Sequence, residues 1–126
     1  MDFEKIYQAA KAVVAPRVLS PFAEAGGVGA ALLTAAGNLY TGVCIDTACS
    51  MGFCAEHAAA AAMITAGENQ ITALVAVGGD GQVLAPCGRC REFLTQLHPK
   101  NRDAQVLLPG GKILRLKELL PWDWKQ

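Results

Sequence analysis

The stretch Cys54-Ala55-Glu56-His57-Ala58-Ala59-Ala60-Ala61-Ala62-Met63-Ile64-Thr65-Ala66-Gly67 decides the reading of this chain. Alanine is the best helix former and glycine supplies the left-handed cap that ends a helix, so the spacing predicts a helix over 54–66 that stops at Gly67. Ala58 to Ala62 are apolar all the way round, which predicts burial on every side and close approach of neighbouring elements. A short polar connection leads to Thr72–Val77, a continuous apolar run of strand length ended by Gly78-Gly79-Asp80-Gly81. Such a run is expected of a strand covered on both faces.

Working outward, Phe3, Ile6, Tyr7, Ala10 and Val13-Val14 fit a first helix that Pro16 stops, and Ser20 to Gly27 reads as a loop. Val28–Thr34 and Leu39–Ile45 flank the turn residues Ala36-Gly37-Asn38 and predict a hairpin. Val83 to Ala85 is extended into Pro86, Cys87 to Leu97 is a third helix, and Val106–Leu108 and Ile113–Leu116 flank Pro109-Gly110-Gly111 as two short strands. Lys117 to Leu120 can form one last turn before Pro121. The order predicts an α/β fold, a three-layer α/β/α sandwich whose mixed sheet has about five strands. The chain of 126 residues reads as a single domain spanning 1–126.

Lys+Arg and Asp+Glu balance at 11 each, so the electrostatic footprint of a nucleic-acid binder is missing and a small substrate is expected. Met1-Asp2-Phe3-Glu4-Lys5 lacks the basic start of a signal peptide, and the apolar stretches are short and broken by glycine. The expected setting is the cytoplasm, away from membranes. Five cysteines, an odd number, with two in a Cys-x-x-Cys, favour metal ligation over disulfides in a reducing compartment.

Two motifs carry the chemistry: Cys54-Ala55-Glu56, and Pro86-Cys87-Gly88-Arg89-Cys90-Arg91. Either alone is weak, since a lone Cys-x-x-Cys is as often a structural zinc or redox pair. Joined in this order at two helix starts, they predict a catalytic Zn²⁺ held by Cys54, Cys87 and Cys90. Helix N-termini lower thiol pKa values, and three ligands leave the fourth tetrahedral position open. Glu56 is the candidate proton carrier for attack on an amidine-type carbon such as C4 of cytosine. Three thiolates on Zn²⁺ leave a net negative charge, for which Arg89, Arg91 and His57 are candidate compensators. Cys44 and Cys49 read as a buried small residue or loop thiol, and His98 as a helix cap. Trp122 and Trp124 read as packing anchors or as cover for a pocket or a neighbouring subunit.

With these residues quoted, the chain resembles the small cytidine deaminase family over about Val28 to Pro121, and within it the blasticidin S deaminase branch. Val28-Gly29-Ala30-Ala31-Leu32 is similar to the family's first strand, Gly42-Val43-Cys44-Ile45-Asp46-Thr47-Ala48 to its nucleoside-binding loop, and Leu119-Leu120-Pro121 to its C-terminal segment. The resemblance implies that Cys54, Cys87 and Cys90 bind zinc, that Glu56 shuttles protons, and that the protein is a homotetramer. It also implies a free cytosine nucleoside as substrate, deaminated to the uracil nucleoside in pyrimidine salvage, with blasticidin S or another modified cytosine nucleoside as the alternative. Cys44, Asp46, Ala55, Gly26 and Trp124 are the implied substrate-binding positions. The family's usual ribose-holding Asn and Glu are Cys44 and Asp46 here, its pocket Phe is Gly26, and Glu92 stands where a Gln is usual. A roomier pocket is expected, with Arg89 the first choice for charge compensation. A non-catalytic zinc module and a nucleic-acid editor are the rival classes; Glu56 argues against the first and the zero net charge against the second.

Overall fold

The computed structural model describes residues 2–125. Asp2 caps the first helix, α1 (Phe3–Val13), by accepting the Lys5 N–H, and Val14 turns extended two residues before Pro16. Strands β1 (Arg17–Ser20), β2 (Ala23–Thr34), β3 (Leu39–Thr47) and β4 (Gly52–Phe53) precede α2 (Ala55–Thr65). Strands β5 (Ile71–Gly78) and β6 (Val83–Leu84) lead to α3 (Gly88–Leu97). A 3-10 turn, Pro99–Asp103, leads to β7 (Gln105–Leu107), a second, Pro109–Gly111, to β8 (Ile113–Arg115), and a third, Leu116–Leu119, opens the C-terminal tail.

The sheet runs β4-β3-β2-β5-β7-β8, with β1 added to β2 and β6 to β5. All pairings are antiparallel except β5 with β7, so the sheet is mixed. The α/β sandwich is as expected: successive residues of a strand face opposite ways, and the sheet has a core on each side. Ile6 and Ala10 of α1 cover Ala31, Ala73, Val75 and Val77. On the other face α2 and α3 set Ala59, Ala60, Met63 and Leu94 against Leu32, Leu74 and Val106.

Two expectations are corrected. The sheet has eight strands among the described residues, not about five, because the expected loop 20–27 is largely strand and because β1, β4 and β6 are too short for a periodic signal. And α2 is not buried all round: Ala55, Glu56, Ala59, Ala60 and Met63 face inward, while Ala61, Ala62 and Ile64 face outward, because the sheet covers one side only. None of the described helices is long and apolar enough to cross a membrane.

The close approach that α2 does make depends on Gly42 of β3. A Cβ there would lie 2.3 Å from the Ala59 backbone nitrogen and 2.6 Å from Ala58 Cβ. The missing side chain lets the helix settle on the strand, which sets how far its N-terminus stands from α3.

Candidate metal centre and active site

Both helix starts are cysteine caps. Cys54 precedes α2 and Cys87 precedes α3, each in extended conformation, and neither makes a side-chain capping bond. The first-turn N–H groups are therefore left for the sulfurs and whatever they hold. The Sγ atoms of Cys54 and Cys87 are 3.6 Å apart. Those of Cys87 and Cys90 are also 3.6 Å apart, and His57 Nδ1 lies 3.4 Å from Cys90 Sγ. The ligand atoms of Cys54, His57 and Cys90 all lie within 4.8 Å of one another. All five cysteines are free thiols.

This donor set fits zinc. Zn–S bonds of about 2.3 Å at tetrahedral angles put sulfurs about 3.8 Å apart, close to the observed spacing. The electrostatics point the same way. Burial, the Glu56 charge and the neighbouring thiols push the Cys90 thiol far above its ordinary range, and burial with Cys87 pushes Cys54 up. Cys87 moves down: burial opposes it, but hydrogen bonds from the Cys90 backbone and the other two sulfurs win. Two of the three thiols thus resist deprotonation by themselves, and a divalent cation would relieve that.

Glu56 is 4% exposed, and burial raises its carboxyl above the usual carboxylate range. It opens on a cavity of about 150 Å³ shared with Cys54 and Cys87, walled by Val28, Cys44, Ala55, Ala76 and Leu84. Cys44 Sγ accepts the Val28 N–H at 3.3 Å. That donor is exposed because β2 bulges: Ala25 pairs with Ile45 and Gly29 with Val43, leaving three residues of β2 opposite Cys44 alone.

The other positions singled out in the sequence lie elsewhere. Asp46 lines surface clefts beside Arg17, Glu24 and Phe22 rather than the Glu56 cavity. Gly26 sits in the bulge with φ +86°, where a Cβ would come 2.2 Å from the Ala15 carbonyl oxygen, so its glycine serves the α1–β2 connection. Trp124 gives its indole N–H to Glu92 Oε1 at 3.1 Å and borders a different cavity, of about 480 Å³, with Gln96, Pro99 and Arg102. Arg89 is exposed on the first turn of α3, near enough for its charge to add to burial in holding the His57 pKa down. Arg91, expected at the sulfurs, gives Nε to the Pro86 carbonyl at 2.8 Å and Nη1 to the Leu119 carbonyl at 3.0 Å.

Sequence reasoning had no role for Glu92 or Phe93. Glu92 holds the tail, accepting from Trp124 and, at 2.7 Å, from Lys125 Nζ. Phe93 stacks on His57, centroids 4.2 Å apart and planes 13° apart, which fixes the imidazole beside Cys90. The two rings come from different helices, and no spacing within either motif announces that pairing.

No family model matches the chain. A cytidine deaminase of Mycobacterium tuberculosis (strain ATCC 25618 / H37Rv) is 40% identical over 70 residues, 55% of this chain and 53% of the relative, so the match spans about half the length of that protein. A cytidine deaminase of Halalkalibacterium halodurans is 33% identical over 98 residues, covering 75% of this chain and 74% of the relative. The crystal structure of cytidine deaminase from Mycobacterium tuberculosis superposes with a TM-score of 0.82 at 31% identity, covering 98% of each chain. That from Mycobacterium leprae gives 0.81 at 29% identity, over 96% of this chain and 98% of the other. One-third identity across three quarters of two chains, on a shared fold, makes this chain a member of the cytidine deaminase family.

Proposed function

We propose that the protein is a zinc-dependent hydrolytic deaminase of a free cytosine nucleoside, cytidine or deoxycytidine, yielding the uracil nucleoside and ammonia. One observation carries the reading: three thiols gathered at two helix starts, Cys87 3.6 Å from each of the other two, with a buried carboxylate opening on the cavity that Cys54 and Cys87 line. Cys54, Cys87 and Cys90 would hold the zinc, which when bound supplies the Lewis acidity that brings the pKa of a water toward neutrality.

The rest is work for the chain's own residues. Glu56 takes the proton of the attacking water, gives it to ring N3 of the cytosine, and then serves the departing amino group. Its raised proton affinity suits a group that must carry a proton between steps at neutral pH. Val28, Ala55, Ala76 and Leu84 offer a small apolar slot for a flat ring and keep bulk water away from the carboxylate. His57 Nδ1 lies against Cys90 Sγ, and in the tautomer that carries its proton there it would offset part of the thiolate charge, with the Arg89 charge nearby.

The relatives' names support a cytosine nucleoside, and the chain's zero net charge supports a free one rather than a base within nucleic acid. A soluble cytoplasmic enzyme of pyrimidine salvage, assembled as a homotetramer, is part of the same proposal. The outward Ala61, Ala62 and Ile64 of α2 and the exposed Val18, Phe22 and Met51 support self-association. His57 favours a second reading: as a fourth ligand it would close a Cys₃His site, making the zinc structural and the protein a binding module.

The test is Glu56→Ala in zinc-loaded protein, followed by ultraviolet absorbance of cytidine, deoxycytidine and blasticidin S. Full zinc content with loss of cytosine turnover supports the deaminase. Turnover of blasticidin S without cytidine would move the substrate to modified nucleosides, and wild-type silence on every cytosine compound would favour the closed site.

A further inference from the structure

We infer that Arg91 is the positioning residue for Cys87, a strut tying the exposed zinc ligand to the hydrophobic core. The inference rests on the zinc reading above. Of the three thiols, Cys90 is fully buried one turn inside α3, while Cys87 is exposed at the helix start. Its place is set by its backbone, and the Arg91 side chain fixes that backbone from the residue before it. The main-chain N–H of residue 91 makes the ordinary helical bond to the Cys87 carbonyl at 3.1 Å, and the side chain adds Nε, which donates to the carbonyl of Pro86, the residue before, at 2.8 Å.

The same guanidinium reaches across to the C-terminal segment through Nη1 and Leu119. That segment is itself anchored. Leu116, at the start of its 3-10 turn, is 0% exposed in the core beside Leu32, Leu74 and Leu94, and its N–H bonds the Ala104 carbonyl at 2.9 Å. The path from core to ligand is therefore Leu116, Leu119, Arg91, Pro86, Cys87. Only arginine suits the central place, because its planar fork offers separate donors in fixed directions. A lysine carries the same charge on a single flexible point and cannot bridge two carbonyls with that geometry.

The test measures zinc affinity of the full-length protein by competition with a chromophoric chelator, for wild type, Arg91→Lys and Arg91→Met, with circular dichroism to verify folding. Groups that orient a metal ligand typically contribute about 10–100-fold in metal affinity, and both variants are expected to lose that much. The cobalt-substituted variants should lose about a third of their thiolate charge-transfer absorbance, as one of three sulfurs detaches. If Arg91→Lys keeps wild-type affinity while Arg91→Met does not, charge and not geometry is the role, and the inference falls. It falls equally if both variants bind like wild type, or if Arg91→Lys does not fold. Wild type that takes up no zinc removes the zinc reading and this inference together. Wild type that binds zinc but deaminates no cytosine compound removes the proposed activity and leaves the strut standing.

Discussion

Gly42→Ala adds one methyl group, and it should misalign the proposed zinc site from the far side of the helix. The new Cβ would sit 2.3 Å from the Ala59 nitrogen, against about 3.4 Å for an ordinary contact, so α2 must retreat by about 1 Å. The φ of Gly42 lies outside the left-handed region, so the substitution tests space and not backbone strain. Because α2 carries Cys54 and Glu56 while α3 carries Cys87 and Cys90, the retreat widens the 3.6 Å gap between Cys54 and Cys87 directly. Overpacking costs about 1–3 kcal/mol, which at about 4 °C per kcal/mol for a domain of this size lowers Tm by roughly 4–12 °C. A misplacement of about 1 Å at reacting groups typically costs about 10²-fold in rate. Zinc affinity by chelator competition, Tm by circular dichroism and kcat on the substrate found for wild type would be read together. Wild-type zinc affinity and Tm in Gly42→Ala would refute the claim that this contact sets the spacing of the two helix starts.

Three further outcomes are expected. In metal-free protein, Glu56→Gln should melt above wild type at neutral pH. Burial raises the folded-state pKa, so both states are protonated and indifferent at low pH, and wild type loses ground as pH rises past the ordinary glutamate value; a Tm difference that does not grow with pH would contradict this. Asn101→Ala should destabilise by about 3–5 kcal/mol in a chemical denaturation series, because it orphans several buried partners at once. Asn101 is 0% exposed, takes the Ile71 N–H at 2.7 Å, and gives its amide to the Leu94 and Asn69 carbonyls at 2.9 and 3.1 Å. Tyr40→Phe should lower Tm at pH 7 by an amount that shrinks in acid. Hydrogen bonds from Tyr40 first, then Thr34 and Asn38, hold the Glu68 pKa down, so their stabilisation is present above the unfolded value and lost as pH falls through the folded one. A pH-independent deficit would assign Tyr40 to packing instead.

What the sequence made legible is what local chemistry decides. The alanine run to Gly67 is a helix because nothing competes with propensity there, and β5 is a buried strand because Ile71–Gly78 has no polar face to turn outward. That Cys54 and Cys87 come together was legible because each stands at a helix start, and their sulfurs do lie 3.6 Å apart. The strand character of residues 17–20 and 23–27 was not. Pro16, Pro21, Gly26 and Gly27 punctuate it as a loop, and β1 is exposed along its whole length, so no alternation appears. Its order comes from β2, which is in turn paired to β3, a tertiary term that a local reading does not contain. The same holds at the site. Arg89 and Arg91 look equivalent around Cys90, yet one faces solvent and the other bonds the backbone, because the C-terminal tail returns to only one of them.

The tail's return also explains how a poorly capped helix keeps its place. Ser, Thr, Asp or Asn at a helix start contributes about 0.5–2 kcal/mol through its side chain, and α2 and α3 both forgo that in having cysteine there. The helix starts are thus weak points of the fold by construction, and each is reinforced from elsewhere. At α2 the reinforcement is the strand β4 just before Cys54 and the Gly42 contact behind the helix. At α3 it is Arg91 on the first turn, with Glu92 tied to Lys125 and Trp124 alongside. Stability given up where the cysteines stand is recovered nearby, through groups that do not belong to the thiol cluster.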